Sequence, residues 1–98
     1  MTLDDLLQDI YALEDELRSF ERKYGVLSET FYESYAAGEE PPNEAWFMDW
    51  VAWGSAYELW RQRQEHYRSC MHALRAQGQS TTAMIERAAR HEPISVPA

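Results

Sequence analysis

EAWFMDWVAWGSAYELW, residues 44–60, places four tryptophans within fifteen positions. Trp46, Trp50, Trp53, Tyr57 and Trp60 stand at 4,3 spacing, which continues through Gln64, Tyr67, Met71 and Leu74. Such a repeat keeps one narrow stripe of a helix turned toward a partner helix over several heptads. The stretch therefore opens a helix of about 44–77 whose tryptophans are seam residues. Upstream, Leu3, Leu6, Ile10, Leu13, Leu17, Phe20 and Tyr24 repeat the pattern on a helix of about 3–24 and supply the facing stripe. Aromatic bulk opposite leucine and isoleucine covers area that a thin two-helix layer would leave wet.

Punctuation between these helices is explicit. Thr2 with Asp5 three residues on forms a capping box, and Asp4, Asp5 and Asp9 load the positive end of the first helix dipole. Arg22 and Lys23 occupy its last turn, and Gly25 can take the left-handed cap. Ser28 is expected to cap a short second helix of about 29–37, with Leu27 and Tyr32 at the two positions of a hydrophobic staple and Gly38 ending the run. Phe31, Tyr32 and Tyr35 give this helix an aromatic face. In GEEPPNE, residues 38–44, Pro41 and Pro42 interrupt helix formation and Asn43 can cap the third helix. Connections this short give an all-α, antiparallel helical hairpin or small bundle with a coiled-coil-like seam.

An antiparallel register sets Asp9 near Arg63, a pairing of opposite charges that favours this arrangement. The third helix outruns the first, so Tyr67, Met71 and Leu74 need cover. It can come from a short fourth helix over 81–91, capped by Ser80 and carrying Met84, Ile85 and Ala88, or from a second molecule. The expected organisation is one helical domain over 1–92, followed by a flexible tail, 93–98, with two prolines.

Beside the seam run two further apolar rows, one of Phe47, Val51 and Gly54 and one of Met48, Ala52 and Leu59. The second helix can cover one of them, and a row left open would offer Trp and Phe as anchors for a partner. Gly54 costs on the order of 1 kcal/mol relative to alanine inside a helix, which points to a close backbone approach or is simply tolerated.

Composition and charge narrow the function. Residues 1–60 hold 14 Asp/Glu against 3 Lys/Arg, a net of −11, while residues 61–98 carry a net of +3. The acidic part repels nucleic acid and attracts basic protein surfaces. Arg61, Arg68 and Arg75 fall one heptad apart on one side of the third helix, too thin a footprint for DNA binding by this chain alone. The run MTLDDLLQD is acidic where a secretory signal is basic, and no apolar run is long enough to span a membrane, which gives a cytoplasmic expectation. Cys70 is the one cysteine; with His72 only two residues away they share no helix face, and Glu65 and Glu58 are followed at the di-iron offset by Arg68 and Arg61. Gly25, Gly38, Gly54 and Gly78 are isolated and build no phosphate loop. The expectation is a non-enzyme with no catalytic, metal or cofactor residues.

Three segments carry a resemblance: RSFERKYG (18–25), SETFYESYAAGE (28–39) and DWVAWGSAYE (49–58). The matching residues are Arg18, Phe20, Glu21, Tyr24 and Gly25, then Ser28, Phe31, Tyr32 and Gly38, then Trp50, Trp53 and Tyr57. Over about residues 3–60 the chain resembles a family of small prokaryotic, antitoxin-like helical proteins encoded next to TumE-type toxins. The resemblance implies a non-catalytic antitoxin that neutralises a cognate toxin by direct contact; the open aromatic rows then point to Trp46, Phe47, Val51, Tyr32 and Tyr35 as partner-binding residues, with acids of the first two helices flanking them. A homodimer is expected beside the toxin complex. The competing reading is a self-associating helical module without a toxin, and a third, less favoured one is a DNA-binding regulator using Arg61, Arg68 and Arg75.

Overall fold

The computed structural model describes residues 1–97 and is all-α, with α1 (Leu3–Tyr24), α2 (Ser28–Ala36), a single 3-10 turn (Glu44–Trp46), α3 (Phe47–Ala76) and α4 (Thr81–Ala89). The expected helices are all present. The third differs at its start, where Asn43 accepts the Trp46 amide and the first turn winds as 3-10 before the α-helix opens at Phe47. The chain divides into two compact units, Tyr11–Arg61 and Met1–Ile10 with the chain from Gln62 on.

In the unit of residues 11–61, α1 and α3 run antiparallel, as shown by Tyr24 beside Asp49 and Glu14 beside Trp60. Leu17, Phe31, Trp53 and Ala56 form its core, with Phe20, Trp50, Tyr57 and Trp60 packed against them. Of the expected seam, Leu17 and Trp53 are buried, whereas Leu13, Phe20, Trp50, Tyr57 and Trp60 are half-buried. Trp53, 1% exposed, is the centre: its ring lies parallel to Phe31 at 3.8 Å between centroids, with Phe20 and Tyr24 at 5.7 and 5.6 Å. Aromatic pairs in these arrangements add to what area burial alone contributes.

Ser28 does not act as the expected N-cap. The capping residue is Leu27, in extended conformation with no side-chain cap bond, and Ser28 is the first residue of α2. Its amide and its hydroxyl both donate to Glu21 Oε2, at 2.8 and 2.7 Å, and its Oγ accepts the indole N–H of Trp53 at 2.9 Å. A carboxylate from α1 thus satisfies the first orphan amide of α2, where the helix dipole favours negative charge. The capping shift also removes the staple: Leu27 is 68% exposed. Gly25, at φ 79°, ends α1 with its amide donating to Glu21 O and turns the chain toward Ser28.

Gly54 has a steric reason. A Cβ built there would lie 2.6 Å from Cε2 of Tyr35, so α2 lays an aromatic ring directly on the α3 backbone. α2 therefore covers the Gly54 end of its row, while Met48, Ala52 and Leu59 remain exposed.

The other unit is built on Leu6 and Ile10, both buried, and on a cluster of Leu74, Met84 and Ile94 with Leu3 and Met71. Here too α1 and α3 are antiparallel, and Arg63 Nε stands 3.7 Å from Asp9 Oδ2, the pair expected from register. α4 is capped by Ser80, whose hydroxyl accepts the Ala83 amide. Only Met84 of its three expected apolar contacts faces inward; Ile85 and Ala88 are exposed. The missing cover comes from the segment expected to be a flexible tail. Ile94 is 5% exposed, its carbonyl accepts the Leu3 amide at 2.7 Å, and Thr2 pairs with Ser95 in an antiparallel bridge. That carbonyl satisfies an orphan amide at the start of α1, which anchors a segment with no apolar periodicity of its own. Ala98 lies outside the described residues. Cys70 is buried, with its thiol 4.0 Å from the Pro97 carbonyl and its pKa raised by burial, so it is an inert core residue.

This packing makes two stability outcomes testable. Ser28→Ala leaves the buried Trp53 N–H without an acceptor and should cost about 1–3 kcal/mol in denaturant titration, with the loss much reduced in a Trp53→Phe background. Gly54→Ala should destabilise the native chain by about 1 kcal/mol or more through overpacking against Tyr35. In a Tyr35→Ala background its sign should invert, because only the helix-propensity gain of up to about 1 kcal/mol remains.

Candidate functional site

Three consecutive large apolar residues, Trp46, Phe47 and Met48, are exposed where α3 begins. The 3-10 turn and the cap at Asn43 swing Trp46, Phe47 and Met48 outward, and Phe47 and Met48 are 54% and 71% exposed. Consecutive residues on a helix point in different directions. Only Trp46 can follow the seam, and it makes an edge-to-face contact with Tyr24 at 5.4 Å while staying partly open. Phe47 and Met48 project away from it and have no covering element among the described residues.

Phe47 borders a hollow of about 370 Å³ lined by Tyr35, Trp50, Val51 and Pro41, with Glu39 and Glu40 at the same opening. α2 delivers Tyr35, held by the Phe31 ring at 5.3 Å, and the bend at Gly38, φ 95°, brings the Glu39–Pro42 loop back across the start of α3. Trp50 Nε1 is buried without a hydrogen-bond partner among the described residues, its ring standing at 84° to Phe31 with centroids 5.3 Å apart.

Of the five residues assigned to partner binding, the structure gathers Phe47, Val51 and Tyr35 around one hollow. Trp46 is placed on Tyr24 instead. Tyr32 is turned to Tyr57, 4.9 Å away, and its hydroxyl donates to Glu58 at 2.6 Å. That bond is the main cause of the raised Tyr32 pKa. The acids beside the hollow are Glu39 and Glu40 of the loop, with Glu44 of the 3-10 turn lining an adjoining hollow, where the sequence points to acids of the first two helices. Pro41 and Trp50 are additions that sequence reasoning does not assign to the surface, and exposed Met48 belongs to the second of the two apolar rows beside the seam. Periodicity places Trp50 in the seam, and nothing in it reveals that its ring also floors an open hollow.

Below Trp46 lies a charged cluster. Lys23 Nζ and the Tyr24 hydroxyl both donate to Asp49 Oδ2 at 2.6 Å, and the Lys23 ammonium is 5.5 Å from the Tyr24 ring centroid. The hydrogen bonds from Lys23 and then Tyr24 hold the Asp49 pKa below its ordinary value. The same contact raises Lys23, and burial followed by the bond to Asp49 raises Tyr24. Asp49 also sits in the first turn of α3, where a carboxylate complements the helix dipole. This cluster ties the end of α1 to the start of α3.

Among the described residues no group of three or more His, Cys, Asp or Glu side chains is placed to hold a metal ion, and no helix is long and apolar enough to cross a membrane. Compared with known proteins, the chain matches no family model, no curated protein and no solved structure.

Asp49 gives a pH dependence with a defined sign. A carboxylate with a depressed folded pKa contributes fully above its ordinary value of about 4 and loses that contribution as pH falls through the folded value. Lys23 and Tyr24, raised in the fold, contribute below about pH 10 and lose it as pH rises further. Asp49→Asn should flatten the stability profile in both windows and leave the slope between pH 5 and 8 unchanged, as read by thermal unfolding across pH.

Proposed function

We propose that this chain is a non-catalytic, cytoplasmic protein-binding antitoxin that neutralises a cognate toxin by direct contact, using the aromatic surface at the start of α3. One observation carries the reading: Phe47 and Met48 stay open beside the Tyr35 and Val51 hollow, although the same stretch supplies the core. Contiguous exposed aromatic surface rimmed by polar groups marks an interaction site more often than a catalytic one. Acidic residues outnumber basic ones 14 to 3 in the first 60 positions, Glu39 and Glu40 border this hollow, and Glu44 lines the one on the other side of Phe47. Such a surface suits masking of a basic partner. The resemblance of 18–25, 28–39 and 49–58 to antitoxin-like proteins supports the same assignment.

Electrostatic attraction would accelerate the encounter, and buried aromatic anchors would slow release. The test is co-expression with the product of the neighbouring reading frame, with co-purification and light scattering of the chain alone as readouts. The expected result is a stable complex whose association rate falls as salt rises. Phe47→Ala should weaken it by about 2 kcal/mol or more, since truncated interface aromatics commonly cost that much. A clean homodimer that ignores the neighbouring product would instead identify a self-associating module.

A further inference from the structure

Phe47 stands between two hollows. One is bounded by Tyr35, Trp50 and Val51, the other by Pro42, Asn43 and Glu44, and Glu40, Pro41 and Phe47 line both. They measure about 370 and 670 Å³. Their chemistry differs: aromatic and branched side chains dominate the first, whereas prolines, a carboxamide and carboxylates surround the second. Among the described residues Glu39, Glu40 and Glu44 enter no ion pair, as most carboxylates of the chain do not, and no lysine or arginine lines either hollow. Unpaired carboxylates crowded into one short loop repel one another, and a cation between them relieves that repulsion. A second copy of this chain would bring more of the same charge, as its net charge is −8.

Resting on the docking reading above, we propose that the paired hollows take one short segment of a basic partner protein. Its large apolar side chain sits against Tyr35, Trp50 and Val51, and a lysine or arginine next to it crosses Phe47 to lie beside Glu40 and Glu44. The apolar anchor supplies residence time and the cation supplies selection, because a neutral or acidic segment leaves the carboxylates unpaired or repelled.

The indole N–H groups provide the readout. Trp53 donates to Ser28, Trp60 to Glu14 and Trp50 to nothing among the described residues, so their signals in a nitrogen-15-labelled full chain should separate. The probe is a capped glycine-serine octapeptide with one phenylalanine and, directly after it, two arginines. Its controls replace the arginines by glutamine or the phenylalanine by alanine. At millimolar peptide, shifts should appear at the Trp50 indole and the amides of 38–51, leave Trp60 unmoved, and be absent with either control. The double variant Glu40→Gln, Glu44→Gln, altered only at exposed loop positions, should bind about three- to tenfold more weakly. Equal shifts with the glutamine peptide, shifts centred on Leu59 or Ile85, or no shifts at all would overturn the proposal. So would a salt-insensitive doubling of mass that protects Trp50, which would identify a second copy as occupant. In the co-expression assay, a partner retained equally by the wild type, by Phe47→Ala and by the double variant would overturn these hollows as its site while leaving the antitoxin reading intact.

Discussion

The unit of residues 11–61 depends on one buried hydroxyl. Ser28 Oγ is placed between a carboxylate of α1 and the indole of α3, and it sits in the first turn of α2. Three helices meet at that atom. Glu21 has only one carboxylate oxygen in this contact, and that oxygen receives both the Ser28 amide and hydroxyl. The proton of the hydroxyl is thereby committed to Glu21, which leaves the oxygen lone pairs for Trp53. Each member fixes the next: the carboxylate orients the hydroxyl, the hydroxyl orients the indole, and the indole plane sets where Phe31 can stack. A two-helix layer has little apolar area to spare, so a satisfied polar network at its centre specifies a single arrangement that leucine packing alone would leave loose.

This network also explains how much of the fold is legible in the sequence. Helix positions, the seam and the Asp9–Arg63 register rest on short-range regularities, namely 3,4 spacing, capping residues and left-handed glycines, each of which acts within a few residues. Ser28 reads as an N-cap because serine before an acidic, aromatic run usually is one. Its true partners, Glu21 and Trp53, are 7 and 25 residues away. No local pattern distinguishes a serine that caps from a serine that is claimed by a distant carboxylate. The packed tail is illegible for a related reason. Pro93–Val96 has neither helical nor strand periodicity long enough to read, and what orders it is a backbone pairing with Met1–Leu3 at the opposite end of the sequence. On α4 only Met84 turns inward, and Ile94 completes the cluster that Met84 forms with Leu74.

The positions that carry the proposed resemblance to antitoxin-like proteins are largely structural in this geometry. Phe20, Glu21, Tyr24, Gly25, Ser28, Phe31 and Trp53 are the residues that assemble the core and its polar hub. They are a signature of the scaffold. Of the residues proposed to meet a partner, Phe47, Met48, Pro41 and the carboxylates at 39, 40 and 44 lie outside the matching positions, while Trp50 belongs to both sets. Such residues determine how the chain folds and leave the contact surface carried on the fold free to vary.

The aromatic richness of 44–60 has two separate causes that happen to be contiguous. From Trp50 onward the rings are recruited by the seam, with Trp53 taken up by Ser28 and Trp60 by Glu14. Before Trp50 the helix has only begun, and α2, nine residues long, reaches Gly54 through Tyr35 without extending over Phe47 and Met48. Lengthening α2 by a turn would have closed that gap with ordinary core packing. Gly38 and the two prolines stop it instead, and the chain spends its next residues on a loop bearing three carboxylates. An exposed phenylalanine and methionine carry an aggregation cost unless something covers them or charge keeps like molecules apart. The acidic loop does the second directly, and by its sign it leaves a basic surface as the most favourable cover.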